Sequence, residues 1–268
     1  MQKNKNYTLI TGGTSGIGLE LSKLFAQNGH NLIIVARDQH ELDVTSKLLS
    51  QYHVDVITMS KDLFDMSEGE ELYREIKEEG IEVDILVNNA GQGYYGLFAE
   101  QELQRNLDII HLNISSLVIL THFFIQDMIQ KGEGKILNLS SIASQAAGPW
   151  NAVYHATKAF VQSFTEGLRN EVKAHNITVT ALLPGVTDTD FFNKAGMNES
   201  KAVQDEDKMA DPADVAKDGY TALMEGKDMV VSGLKNKMQA KLLNLVPDKV
   251  GAEQMGKAQE PVNKERKN

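Results

Sequence analysis

The sequence predicts an α/β protein built on one doubly wound parallel sheet of about seven strands, with helices on both faces. Two observations carry this. Short β-rich apolar runs recur along the chain, and amphipathic helical segments fill the gaps between them. Most of the runs are continuously apolar instead of alternating, as expected for parallel strands covered on both faces. Strands are placed at residues 8–11, 31–36, 55–60, 85–88, 134–139, 178–183 and 229–231. Helices are placed at 18–28, 39–52, 67–79, 103–131, 153–175 and 212–225. No repeat, low-complexity segment or linker interrupts residues 1–250, which read as one domain. Two stretches break the rhythm. Residues 190–211 are polar and weakly patterned, and suit a mobile lid. Residues 251–268 are polar, end in Lys-Glu-Arg-Lys-Asn and read as a frayed tail.

Composition excludes several classes. A chain of 268 residues, 41% of them hydrophobic, supports a sizeable core. Cysteine is absent, which excludes disulfides, thiolate metal sites and a cysteine nucleophile, and fits a reducing compartment. The net charge of −10 repels phosphate backbones, so no nucleic-acid partner is expected. Residues 1–7 are polar and no secretory apolar segment precedes the first strand, so the expected location is cytoplasmic. The longest apolar stretch, 117–125, carries Thr121 and His122. It falls short of the roughly 20 apolar residues that span a bilayer.

Two motifs carry chemistry. Gly12, Gly16 and Gly18 sit in the first strand-to-helix turn. Glycines there allow a sharp turn and let a pyrophosphate approach the backbone, while the helix N-terminus supplies N–H donors. This is a Rossmann-type arrangement. An ordinary βα turn is the competing reading, and the position between a strand and a helix counts against it. Tyr154 and Lys158 stand one helical turn apart. A free tyrosine has a pKa of about 10, high for proton exchange near neutrality. A neighbouring ammonium favours the phenolate. The pair therefore suits proton exchange with an alcohol or carbonyl oxygen. The same spacing recurs at Tyr73 and Lys77, but in the acidic stretch 61–84, where an exposed helix pair is expected.

Further motifs follow in order. Asn88-Asn89-Ala90-Gly91 ends the fourth strand, Ser140-Ser141 closes the fifth, and Pro184-Gly185 ends the sixth with Thr189 beyond. Together with the Gly-x-x-x-Gly-x-Gly turn and Tyr154-x-x-x-Lys158, they resemble the short-chain dehydrogenase/reductase family over residues 7–235. The resemblance implies an oxidoreductase that moves a hydride between a nicotinamide cofactor and a carbonyl or alcohol. It implies that Tyr154 is the acid/base, that Ser141 holds the substrate oxygen, and that Lys158 also binds the nicotinamide ribose. Asn113 would extend a proton relay. Ser140 is the rival of Ser141, and the 13-residue separation from Tyr154 favours Ser141. The implied cofactor cradle is Gly12, Thr14, Ser15, Gly16, Ile17, Gly18, Asp62, Leu63, Asn89, Ala90, Gly91, Tyr154, Lys158, Pro184, Gly185, Thr187 and Thr189.

Arg37 ends the second strand, where a carboxylate would grip the ribose hydroxyl of NAD. A guanidinium pairs instead with the 2′-phosphate of NADP. NADP(H) is therefore expected over NAD(H). Ser15 stands where the family has a second basic determinant, and Asp38 lies next door. A solvated surface arginine is the competing reading.

Candidates for the substrate end are Gly93, Tyr94, Phe98, Ala143, Gln145, Trp150, Phe191 and Phe192. Most are apolar, and no Arg/Lys cluster points to a phosphorylated or CoA-linked substrate. A neutral, fairly apolar carbonyl or alcohol is expected. By resemblance the chain is a homodimer or homotetramer. The amphipathic segment 238–246 is expected to pack over the active site or a neighbouring subunit, with a membrane surface as the alternative. A non-catalytic NADP(H)-binding regulatory protein on the same fold is the rival function. The intact set Asn113, Ser141, Tyr154 and Lys158 argues against it.

Overall fold

Seven parallel strands form one sheet in the order β3-β2-β1-β4-β5-β6-β7. They are β1 (Asn6–Thr11), β2 (Asn31–Ala36), β3 (Val56–Ser60), β4 (Glu82–Asn88), β5 (Gly134–Leu139), β6 (Ile177–Leu183) and β7 (Met229–Val231). The expected strands are all present, and four of the seven start or extend one to three residues from the expected limits. The computed structural model describes residues 6–205, 209–243 and 246–262. The first five residues of the polar N-terminus, 206–208 of the lid, 244–245 of the amphipathic segment and 263–268 of the tail lie outside the described residues.

Consecutive apolar residues on each strand face opposite sides, so every strand feeds two cores. Leu9, Ile33, Leu86, Ile136 and Val179 lie on one face. There they pack under Leu72 and Ile76 of α3 (Met66–Glu78), Leu120, Phe124 and Met128 of α5 (Ser116–Lys131), and Val172 of α6 (Ala152–Val172). Ile10, Ile34, Val87, Leu137 and Leu182 lie on the other. They pack under α1 (Gly16–Gln27) through Leu21 and Phe25, α2 (Gln39–Leu49) through Leu42 and Leu49, and α8 (Pro212–Met224) through Val215 and Leu223. Aspartates start three of these helices: Asp38, Asp65 and Asp211 accept from backbone N–H groups in the first turn. A buried amide ladder ties β4 and β5 to the helices of the first face. Asn88 Nδ2 donates to Thr121 Oγ1 (3.0 Å) and Asn138 Oδ1 (2.9 Å), and Asn138 Nδ2 donates to Thr165 Oγ1 (3.0 Å).

The helix expected over 103–131 is continuous but not uniform. α4 (Leu103–Ile110) passes through a π turn (His111–Ser115) into α5. By length and composition this whole helix is long and apolar enough to cross a membrane, which the nine-residue apolar stretch did not suggest. Half of its most apolar window is buried inside the fold, as in a core helix. The expected frayed tail is a second departure. Residues 251–259 belong to α10 (Asp248–Gln259), which follows α9 (Leu234–Leu243); the short α7 (Phe191–Ala195) precedes α8. Gly251 and Gln259 are buried. The polar composition is consistent with this because Gln259 finds polar partners in the protein.

The chain reverses its winding between β1 and β4, where the strand order jumps from one half of the sheet to the other. A crevice opens there, outside the C-terminal ends of the strands, as doubly wound sheets require.

Candidate active site

The crevice is a continuous cleft of about 1180 Å³. Its floor at one end is the glycine turn. Gly12 and Gly16 have φ of +64° and +52°, a region that disfavours a side chain. A Cβ on Gly18 would collide with the Gly12 carbonyl oxygen and Asn89 Nδ2. A Cβ on Gly16 would stand 2.9 Å from Thr189 Cγ2. Asn89 clamps this turn from β4: its Nδ2 donates to the carbonyls of Thr11 (2.8 Å) and Gly12 (3.0 Å). The first-turn N–H groups of α1 point from Gly16 onward, and Ser15 at the N-cap makes no side-chain cap bond. Thr14, Ser15, Gly16, Ile17 and Gly18 all line the cleft. So do Asp62, Leu63, Asn89, Ala90 and Gly91. The cradle fits a dinucleotide: the glycine turn borders the open cleft, and the first-turn N–H groups of α1, which have no intrahelical partner, edge it.

Arg37 also lines the cleft, about half exposed. Its guanidinium lies 4.8 Å from the Phe64 ring centre, with Arg105 at 5.4 Å from the same ring. Asp62 Oδ1 is 3.9 Å from Arg37 Nη1. Asp38 lines the cleft beside Arg37, and its carboxylate caps α2 by accepting from Glu41 N. Glu41 meets Thr14, whose Oγ1 donates to Glu41 Oε2 at 2.9 Å.

Deeper in, four elements converge. Ser141 stands at the end of β5, Tyr154 and Lys158 in the first turns of α6, and Asn113 in the π turn. Asn113 Nδ2 donates to the Gln92 carbonyl (2.9 Å) and Thr157 Oγ1 (3.0 Å), and its Oδ1 accepts from Gln92 N (3.0 Å). Gly91 packs closely beside it. A Cβ there would stand 3.2 Å from Asn113 Oδ1 and 3.3 Å from Lys158 Nζ. Lys158 Nζ donates to the Leu139 carbonyl at 2.8 Å and lies 5.8 Å from the Tyr154 ring centre. The two serines separate cleanly. Ser140 Oγ donates to the Lys158 carbonyl at 2.8 Å, whereas Ser141 Oγ donates to the Pro184 carbonyl at 3.4 Å and lies near enough to the Tyr154 hydroxyl to lower its pKa.

Burial sets the electrostatics of the pair in the protein alone. Desolvation pushes the Tyr154 phenol up to about 12, with nearby Ser141 pulling the other way. Desolvation also pushes the Lys158 ammonium down to about 8. The protein's own groups therefore hold Tyr154 as a protonated acid.

Pro184, Gly185, Thr187 and Thr189 close the cleft beyond β6. Thr189 Oγ1 accepts from Phe191 N at 3.4 Å and sits against Gly16. A Cβ on Gly185 would collide with the Asn236 amide of α9. The start of α9 thus lines the cleft through Leu234, Lys235, Asn236 and Gln239; of the segment 238–246 expected to pack over the site, only Gln239 does so among the described residues, and Met238 and Leu242 are exposed.

The substrate end departs most from expectation. Ala143, Phe191 and Phe192 line the cleft, and the Phe191 ring lies 5.2 Å from that of Tyr154. Gly93, Tyr94, Phe98, Gln145 and Trp150 do not line it. Gly93 is buried behind Phe191. Tyr94 lends its carbonyl to Gln101, and Phe98 is exposed. Gln145 bonds Ser144 and Gln162. Trp150, at φ +71°, stacks on Tyr95 at 6.0 Å. Their places are taken by Asn151, His155, Met197, Met255, Ala258 and Gln259. His155 was within reach of sequence reasoning, as the neighbour of Tyr154. Met255, Ala258 and Gln259 were not, because no local pattern links them to α6. Lys194, Lys201 and Lys235 also reach the cleft wall, although no basic cluster was visible in sequence. Asp190 and Glu260 pair with the first two.

Of the exposed pair expected at Tyr73 and Lys77, only Lys77 is exposed. Tyr73 is partly buried on Phe123, 4.8 Å between ring centres, and both its hydroxyl and Lys77 Nζ bond Asp127 of α5.

The family model described as short chain dehydrogenase matches residues 6–200. A sulfoacetaldehyde reductase 2 from Chromohalobacter salexigens is 37% identical over 68% of this chain and 73% of that protein. A very-long-chain 3-oxoacyl-CoA reductase from Anas platyrhynchos is 33% identical over 66% of this chain, and the match spans only 58% of that reductase's length. Among solved structures, a short-chain dehydrogenase from Sphingobium yanoikuyae in complex with NADPH superposes with a TM-score of 0.80 at 27% identity, covering 90% of this chain and 96% of that one. The glycine cradle, the Tyr154–Lys158 pair at its inner end and these matches place the chain in the short-chain dehydrogenase family of oxidoreductases.

Proposed function

We propose that this protein is an NADP(H)-dependent reductase of neutral, fairly apolar carbonyl compounds, working in the cytoplasm. The observation that carries it is Tyr154. Its protonated hydroxyl, close to Ser141, faces a cleft walled by Ile142, Ala143, Phe191 and Met197. The bound nicotinamide supplies the hydride. Tyr154 donates its proton to the carbonyl oxygen as that oxygen gains charge. Ser141 orients the oxygen by a hydrogen bond. Lys158, when charged, favours the phenolate left behind, and the Asn113 network holds the segment around Gln92 in place. Met197, Met255 and Ala258 favour an apolar substrate arm. Homodimers or homotetramers formed through outer helix faces are part of this reading.

Arg37 supports NADPH, as does the NADPH bound by the Sphingobium relative. A guanidinium–phosphate hydrogen bond in a half-exposed site is worth about 1.5 kcal/mol, roughly a tenfold preference over NADH. The test is a panel of aldehydes and ketones with each cofactor, followed at the nicotinamide absorbance, on wild type and Arg37→Asp. The expected result is turnover of apolar ketones, preference for NADPH, and reversal in the variant. Turnover with equal use of both cofactors rejects the NADP assignment alone. NADPH binding without turnover of any carbonyl favours the regulatory reading.

A further inference from the structure

Gln259 is the last residue of α10 and 104 positions from His155, yet the two side chains meet in the cleft wall. His155 follows Tyr154 directly, and its ring is buried. His155 Nδ1 lies 2.8 Å from the Ala146 carbonyl, which can only accept, so Nδ1 carries the proton. His155 Nε2 is then an acceptor, and Gln259 Nε2 donates to it at 2.8 Å. Burial lowers the imidazole pKa, which keeps this neutral tautomer in place. Room for the ring comes from Gly148, where a Cβ would collide with it.

The Gln259 backbone is held as well. Its carbonyl accepts from Tyr95 Oη, in the loop after β4, and from Ser200 Oγ, in the lid, at 3.0 Å. The lid continues the seam: Lys201 N donates to the Glu260 carbonyl (3.0 Å), and Val262 N donates to the Glu199 carbonyl (2.9 Å). Gly256 lies close over Pro149, with a virtual Cβ 3.1 Å from Pro149 Cγ. One residue therefore joins the catalytic helix, the β4 loop, the lid and the C-terminal helix. Between these elements, Met255 and Ala258 face the same cleft as Tyr154 and Phe191.

We propose that Gln259 is a latch that closes α10 as a roof over the substrate end of the cleft, and that this roof selects the substrate. Gln259 is a positioning residue: it acts through His155 and the lid. An apolar arm attached to the reacting carbonyl lies under Met255 and Ala258, and a bulky arm enters when the latch opens. The selection of substrate rests on the proposed reductase function; the latch itself does not.

The test joins hydrogen exchange with kinetics, on the full chain. In Gln259→Ala without substrate, amide exchange quickens about three- to tenfold in 248–259 and 199–203, the expected effect of one lost hydrogen bond, and stays unchanged in β1 and α1. Unchanged exchange in 248–259, or equal acceleration across the whole sheet, overturns the latch. In turnover, KM for a bulky ketone falls relative to that for a small one with kcat little changed, and NADPH affinity measured by fluorescence stays within twofold; a KM ratio that is unchanged or rises overturns the latch as the gate. Met255→Trp, which thickens the roof and leaves the latch intact, lowers kcat/KM for the bulky ketone relative to a small one. An unchanged ratio in Met255→Trp overturns the roof as a selector. If wild type reduces no carbonyl while the exchange result holds, the reductase reading fails and the latch stands.

Discussion

Two tyrosine–lysine pairs with identical spacing sit on two helices of this protein, and they live in opposite electrostatic worlds. Tyr73 and Lys77 lie on α3 against α5, and both bond Asp127. Lys77 is raised above its usual pKa, chiefly by the hydrogen bond to that carboxylate. Tyr154 and Lys158 lie on α6 at the head of the cleft, where burial raises the phenol to about 12 and lowers the amine to about 8. No carboxylate accompanies the lysine there; its described partner is the Leu139 carbonyl. A carboxylate neutralises one pair and makes it part of the packing between two helices. The other keeps a protonated acid and a weakly held cation beside an open cradle.

The largest expected effect is on turnover. Tyr154→Phe keeps the ring and loses the donor, so kcat should fall by about 10²–10⁴-fold with NADPH affinity nearly unchanged. A residual activity above about a tenth would show that another group supplies the proton. Lys158→Ala should damage both turnover and NADPH binding, as a group serving both would; a loss confined to turnover would separate it from the cofactor.

Stability sharpens the contrast because the two lysines have opposite signs. The folded pKa of Lys158 lies below its unfolded value. The unfolded chain then binds more protons between about pH 8 and 10.5, so this lysine makes stability rise with pH across that window. Lys158→Met removes the buried charge and should raise Tm at pH 7 by a few degrees, at about 2–4 °C per kcal/mol. It should also flatten the rise above pH 8. Lys77 is raised, so its stabilisation is present below pH 10.5 and fades as pH passes its folded pKa. Lys77→Met should destabilise the fold at pH 7 and so lower Tm, by less than about 1 kcal/mol of stability for a half-exposed pair. Two shifts of the same sign in thermal melts would mean that burial does not separate the pairs.

The smallest effect is the most pointed. Tyr73→Phe should leave kcat/KM within twofold and cost a fraction of a kcal/mol for the lost hydroxyl contact with Asp127, of order 0.5–1 kcal/mol. A hundredfold loss of activity would put the catalytic helix in the wrong place.

Much of this was legible in the amino-acid order. The seven strands could be placed because a strand covered on both faces must be apolar throughout, whatever packs on it. The glycine turn could be read because Gly12 and Gly16 need positive φ and Gly18 allows the Gly12 carbonyl and Asn89 to approach. Tyr154, Lys158 and Ser141 come together because each sits at a strand end or in the first helical turns beyond one, and parallel strands bring such ends to one edge of the sheet. These are local constraints, and local sequence carries them.

The tertiary structure decided the rest. Which serine faces Tyr154 depended on whether Ser140 met the Lys158 carbonyl, a contact across 18 positions. The direction of both shifted pKa values depended on burial, which no spacing encodes. Trp150 and Gln145 turned away from the cleft because Tyr95 and Gln162 offered them partners. The polar residues 251–259, which by composition read as a frayed tail, became a helix because His155 of α6, Tyr95 after β4 and Ser200 offer hydrogen bonds to Gln259. Composition reports what a segment lacks by itself; whether it orders is set by polar partners that only the fold brings within reach.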